Sequence, residues 1–152
     1  MTTAEILYRL LTALACGAAV GINRDLHHKA AGFRTISMVS VGSAVVTLIG
    51  SQIAPDPTAV SRIVQGILTG IGFLGAGVIL HPAAASARIS GLTTAAAIWL
   101  TAGLGVACGL GLYRIVVCGF ALAMIILVIG GPIEKFIERC VRRQEGGSDS
   151  SG

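Results

Sequence analysis

The sequence predicts an all-α membrane protein: a compact bundle of about five transmembrane helices with glycine-rich packing. Three observations predict it. Charged residues make up 12% of the 152, against about 25% in ordinary globular domains. Mean hydropathy is +0.85. The apolar residues also gather into runs near the ~20 residues that a helix rising 1.5 Å per residue needs to cross a bilayer. A water-soluble fold needs far more polar surface than this to cover its outside, so the composition excludes a soluble enzyme domain.

The first run covers residues 6–22. No basic segment of the kind that opens a cleaved signal peptide precedes it, so it is read as a retained span. The second covers residues 35–53, the third 63–80, the fourth 92–112 and the fifth 115–133. The fifth is the most uniformly lipophilic. The third and fourth are rich in Gly and Ala and could be screened from lipid by their neighbours. Pro55, Pro57, Pro82 and Pro132 fall at span ends, where the loss of a backbone donor does least harm. Residues 1–133 thus form the transmembrane domain, and residues 134–152 a basic, low-complexity tail expected to be largely disordered.

Lys and Arg set the orientation. With the N-terminus outside, Arg24, Lys29, Arg34, Arg88, Lys135, Arg139, Arg142 and Arg143 lie on the cytoplasmic side, leaving Arg9, Arg62 and Arg114 outside. Short loops obey the positive-inside rule, which gives N-out and C-in. The net charge of +4 is therefore topogenic. No aromatic residues interleave the basic ones to stack bases, and no nucleic-acid partner is expected. The four cysteines, Cys16, Cys108, Cys118 and Cys140, lack C-x-x-C spacing, and the first three, inside apolar runs, read as small packing residues.

Small residues recur four apart at Gly17/Gly21, Gly66/Gly70 and Gly105/Gly109. Lipid supplies no hydrophobic drive between helices, so close contact through small faces takes its place. Such faces serve either packing within one protomer or a homodimer seam. Gly70, Gly72 and Gly75 also match G-x-G-x-x-G, but the match lies inside an apolar span and no acid follows until Glu134. It is not a dinucleotide fingerprint, and its glycines are read as sites of close helix approach.

Polar chemistry is concentrated in a few places. Glu5 and Arg9 stand four apart in the favourable order for a helical pair and enter the first span, where they read as an intramembrane pair or as interfacial anchors. The first loop, NRDLHHKAAGFRT, is the densest polar segment, and Asp25 between two arginines suggests an ion-pair network. Asp25, His27, His28 and His81, all expected at one membrane face, could supply ligands to a divalent ion. A single carboxylate is poor provision for Mg2+, so no metal site is assigned. The fourth span opens Gly91-Leu92-Thr93-Thr94, a pattern in which a threonine hydroxyl caps the helix. Gln65 and Thr69 add polar atoms to the third span.

GINRDLHHKAAGFRT, then GIGFLGAG, then GLTTAA-x-x-W resemble, in order and spacing, the signatures of the MgtC/SapB family of bacterial inner-membrane proteins, over about residues 5–130. The resemblance implies a five-span domain in the bacterial plasma membrane, and a role in adaptation to low magnesium, host stress and virulence. It implies a non-enzymatic regulator acting on other membrane proteins, such as the proton-translocating ATP synthase. The alternative is a transporter or channel for Mg2+ or another small solute. Carried over, functional weight falls on Asn23, Arg24, Asp25, Gly32, Arg34 and Thr35, then on Gly70, Gly72 and Gly75, then on Gly91, Thr93, Thr94 and Trp99. Gly66 joins the packing set. No cofactor is expected, with Mg2+ the only ion in question, and the partners are the lipid bilayer, other membrane proteins and a second copy of the chain. Asn23 stands where the family often has a second acid, and the chain reads as a short form without a folded cytoplasmic C-terminal domain.

Overall fold

The computed structural model describes residues 1–53, 56–79 and 91–148. Five helices follow one another: α1 (Thr3–Leu26), α2 (Phe33–Ile53), α3 (Pro57–Ile79), α4 (Leu92–Leu110) and α5 (Tyr113–Ser148). Each is long and apolar enough to cross a membrane. Pro55, Pro82, His81 and Arg88 lie outside the described residues.

Helix ends are written into the sequence. The Thr2 hydroxyl accepts from Glu5 N–H at 3.2 Å and opens α1. Asp56 and Pro57 open α3, with the Asp56 carboxylate accepting from Ala59 N–H at 3.3 Å and proline in the first helical position, where its missing donor costs nothing. α4 closes on Gly111, at φ 73°. Gly111 N–H reaches Cys108 O at 3.0 Å and Leu112 N–H reaches Ala107 O at 2.9 Å, the Schellman pattern. α5 begins two residues later.

α4 is the centre of the bundle. Of its span, 61% is buried, against 6% for α3 and 11% for α5. It packs on all four other helices, whereas α5 leans on α4 and scarcely meets α1. Screening from lipid therefore holds for the fourth span and not for the third, whose outer face is bare. The tightest packing joins α1, α2 and α4. A Cβ on Gly17 would lie 2.8 Å from Ser40 Cβ, one on Gly109 would lie 2.8 Å from Ala44 O, and one on Gly105 would overlap Ser40 O. Ser40 Oγ donates to Ala13 O at 2.7 Å. On α2 the buried residues Ser37, Ser40, Ser43 and Thr47 form one small polar stripe.

Three expectations change. Asn23, Arg24 and Asp25 are the last turn of α1 rather than loop, with the buried face of the helix carried on by the polar Asn23 and Arg24. α5 runs through Pro132 to Ser148, so residues 134–148 are helical rather than disordered. Pro132 stands on an exposed helix flank and there it removes one hydrogen bond without ending the helix. Among the described residues Gly66, Gly70 and Gly72 pack on nothing, since a Cβ on any of them meets no atom within 4 Å. Gly75 alone of that run faces a neighbour, Ala95 Cβ at 3.5 Å.

The two glycine classes predict opposite responses. Gly105→Val forces α4 off α2 and should lower stability by about 1–3 kcal/mol. Gly66→Ala meets open space and improves helix propensity by about 1 kcal/mol. Thermal unfolding in detergent, followed through Trp99, checks both, and equal midpoints would contradict the packing described.

Candidate functional site

The polar site lies where the end of α1, the start of α4 and the middle of α5 converge. α1 stops in a second Schellman turn, with His28 N–H to Asp25 O at 3.0 Å and Lys29 N–H to Arg24 O at 3.1 Å. The left-handed position falls on His28, at φ 51°, although a residue with a Cβ is strained there. This turn faces Asn23 and Arg24 inward, with only 8% and 4% of their surface exposed. It leaves Asp25 outside.

Arg24 Nη2 donates to Thr94 Oγ1 at 2.6 Å, tying α1 to α4. Its Nε is buried without a partner. Thr94, 3% exposed, thus turns its hydroxyl on Arg24 and does not cap its own helix. α4 instead starts from Gly91, at φ 88°, with no side-chain cap. A side chain at Gly91 would meet Val78 O at 2.8 Å, so this glycine also lets α3 and α4 close.

Among the described residues Asp25 makes no ion pair. Its Oδ2 accepts from Phe33 N–H at 2.8 Å, satisfying the first free donor of α2. Gly32 lies directly against the carboxylate, where no side chain fits. Among the described residues the ion pair is Glu5 with Arg9, at 2.5 Å, at the opposite end of the bundle. There Arg9 Nη1 also donates to Gly109 O at 2.7 Å, and Tyr8 packs edge-on to Tyr113. Arg34 and Thr35 are exposed in the first turn of α2, Trp99 is half-exposed on α4, and Gln65 and Thr69 are exposed on α3. The structure therefore gathers Asn23, Arg24, Thr93 and Thr94, but not Arg34, Thr35 or Trp99.

A cavity of about 900 Å³ opens beside Arg24. Asn23, His27, Lys29 and Thr93 form its polar side, and α5 supplies the facing wall with Ile126, Leu127, Glu134, Phe136 and Arg139. The α5 wall is absent from the sequence reading, which treated Arg139 as topogenic. The charged positions Glu134 and Arg139, one and six residues beyond the last apolar run, are the available signal. His27 Nδ1–H donates to Asn23 O at 2.7 Å, and His28 is occupied with the turn. No group of three or more His, Cys, Asp or Glu is placed to hold a metal among the described residues.

The MgtC family model matches residues 10–136. The protein SrpB of Synechococcus elongatus is 43% identical over 122 residues, 74% of this chain and 67% of SrpB. YhiD of Escherichia coli K12 is 38% identical over 138 residues, 84% of this chain and 61% of YhiD. MgtC of Salmonella typhimurium LT2 is 42% identical over 108 residues, 71% of this chain and 45% of MgtC. The chain thus spans between about half and two thirds of these curated relatives. No solved structure matches it.

Two substitutions test the local reading. Thr94→Val strips Arg24 of its only described partner and should cost about 1–3 kcal/mol, while Thr94→Ser keeps the bond and most of the stability. His28→Gly relieves the left-handed strain and should gain about 1 kcal/mol. A loss of stability in His28→Gly, or a midpoint that responds to chelator, would restore the imidazole as a ligand.

Proposed function

Because the chain belongs to the MgtC family, we propose that it is a non-enzymatic, multi-pass protein of the bacterial plasma membrane that regulates a larger membrane complex. The ATP synthase is the leading partner, and adaptation to low magnesium or host stress the setting. The carrying observation is the division between its glycines. Those at positions 17, 21, 105 and 109 are consumed inside the protomer, while a Cβ on Gly42, Gly66 or Gly70 meets no atom within 4 Å among the described residues. These three border an apolar groove of about 410 Å³ between α2 and α3. Helices associate in lipid through close contact of small faces, and a transmembrane helix of the partner fits such a groove.

Transport of Mg2+ is the competing reading, supported by YhiD, whose name marks it as a candidate magnesium transporter. The charge of the cavity argues against it. A cation entering there meets Arg24, Lys29 and Arg139 with Glu134 as the lone carboxylate of the lining among the described residues, and like charges repel strongly where the dielectric is low.

Gly66→Leu combined with Gly70→Leu fills the groove from positions where a Cβ meets no described atom within 4 Å. In-cell crosslinking of the tagged protein should recover ATP synthase subunits, and the double variant should lose them at least tenfold while still folding. Equal recovery by both forms, or recovery of nothing but a second copy, would retire the proposal. Proteoliposomes that pass Mg2+ would replace it with transport.

A further inference from the structure

Arg24 is left electrostatically incomplete by its own bundle. A guanidinium stays charged under all ordinary conditions, and a buried charge is costly unless paired. Arg24 is 4% exposed and holds one side-chain hydrogen bond, to a neutral hydroxyl. Among the described residues its Nε has no partner and no carboxylate lies within ion-pair distance of it. Asp25, its chain neighbour, is occupied by Phe33 N–H. The missing partner is an anion.

Arg24 borders the 900 Å³ cavity, and Lys29 and Arg139 stand in the same lining, both exposed. Against these three cations the lining offers, among the described residues, a single acid, Glu134. The α5 wall is apolar as well as charged: Ile126 and Leu127 lie within the membrane span that ends at Glu134. α1 and α5 scarcely touch, so the cavity opens between them at the depth where a span gives way to headgroups. A small hydrated anion would have no use for the apolar wall. An amphiphile would use both.

We infer that this cavity binds the phosphate of an anionic phospholipid, with Arg24 at its floor, Lys29 and Arg139 at its mouth, and the acyl chains along Ile126 and Leu127. Basic pockets between spans are a known way of holding such headgroups. Glu134 opposes the headgroup and weakens its hold.

The test uses the whole chain in mild detergent, with dioleoyl phosphatidylglycerol, dioleoyl phosphatidylcholine and inorganic phosphate as separate probes. Native mass spectrometry reads bound lipid, and thermal unfolding reads stabilisation. Phosphatidylglycerol should be retained well above phosphatidylcholine. Lys29→Gln and Arg139→Gln, both at exposed positions that leave the core intact, should each weaken it about fivefold. Glu134→Gln should tighten it. Equal retention of the two lipids, or indifference to both lysine and arginine variants, would overturn the inference. So would weaker binding in Glu134→Gln, which would make that carboxylate the counterion of Arg24. Inorganic phosphate that protects as strongly as the lipid would overturn the lipid and assign the site to a soluble anion. The readout is lipid, so its failure leaves the docking of a partner helix at the opposite face untouched.

Discussion

Three helices meet at Ser40, and the rest of the bundle is arranged around that meeting. Lipid surrounds helices with a medium as apolar as their own side chains, so burial alone gives them no reason to associate. What remains is contact at short range, and it requires residues that keep out of the way. Gly17 of α1 and Gly105 of α4 approach Ser40 from two sides, and the serine hydroxyl fastens the α1 side with its bond to Ala13 O. Dispersion falls steeply with distance, so a single methyl in this region would separate all three helices together.

With that core closed, the outer helices take different work. α3 touches α2 and α4 and presents its remaining glycines outward. α5 is attached through the Gly111 turn and one face of α4, so its far half stands apart from α1 and makes one wall of the cavity. The polar site is thus a by-product of loose packing at one end, while the opposite end is tied shut by Arg9 through Glu5 and Gly109 O. Tight and open regions are both encoded by where small residues fall.

Much of this was legible in the sequence. Hydropathy and length identify all five spans, because a membrane helix must carry its apolar character continuously. The pairs Gly17/Gly21 and Gly105/Gly109 stand out by spacing. Spacing cannot distinguish them from Gly66/Gly70, which look identical on paper and differ only in what lies opposite. The Ser37–Ser40–Ser43–Thr47 stripe has helical spacing but gives no signal in the sequence, because single serines in an apolar run look ordinary without their partners. Arg24 and Thr94 are 70 residues apart, and no local pattern pairs them. Asp25 was misjudged for a related reason: a carboxylate between arginines suggests charge pairing, whereas the nearest unmet need was a bare N–H at the start of α2.

The centrality of α4 has a consequence for biogenesis. α1 and α2 leave the ribosome first, yet the helix that covers the serine–threonine face of α2 is the fourth to be made. At about 5–20 residues per second, the stretch from Ile53 to Leu110 takes roughly 3–11 s to synthesise. During that interval a face built for α4 stands in the translocon or the bilayer without it. A half-finished chain therefore offers other nascent or resident spans a binding face that the finished protein has withdrawn, and the insertion machinery must shelter it until the fourth helix arrives.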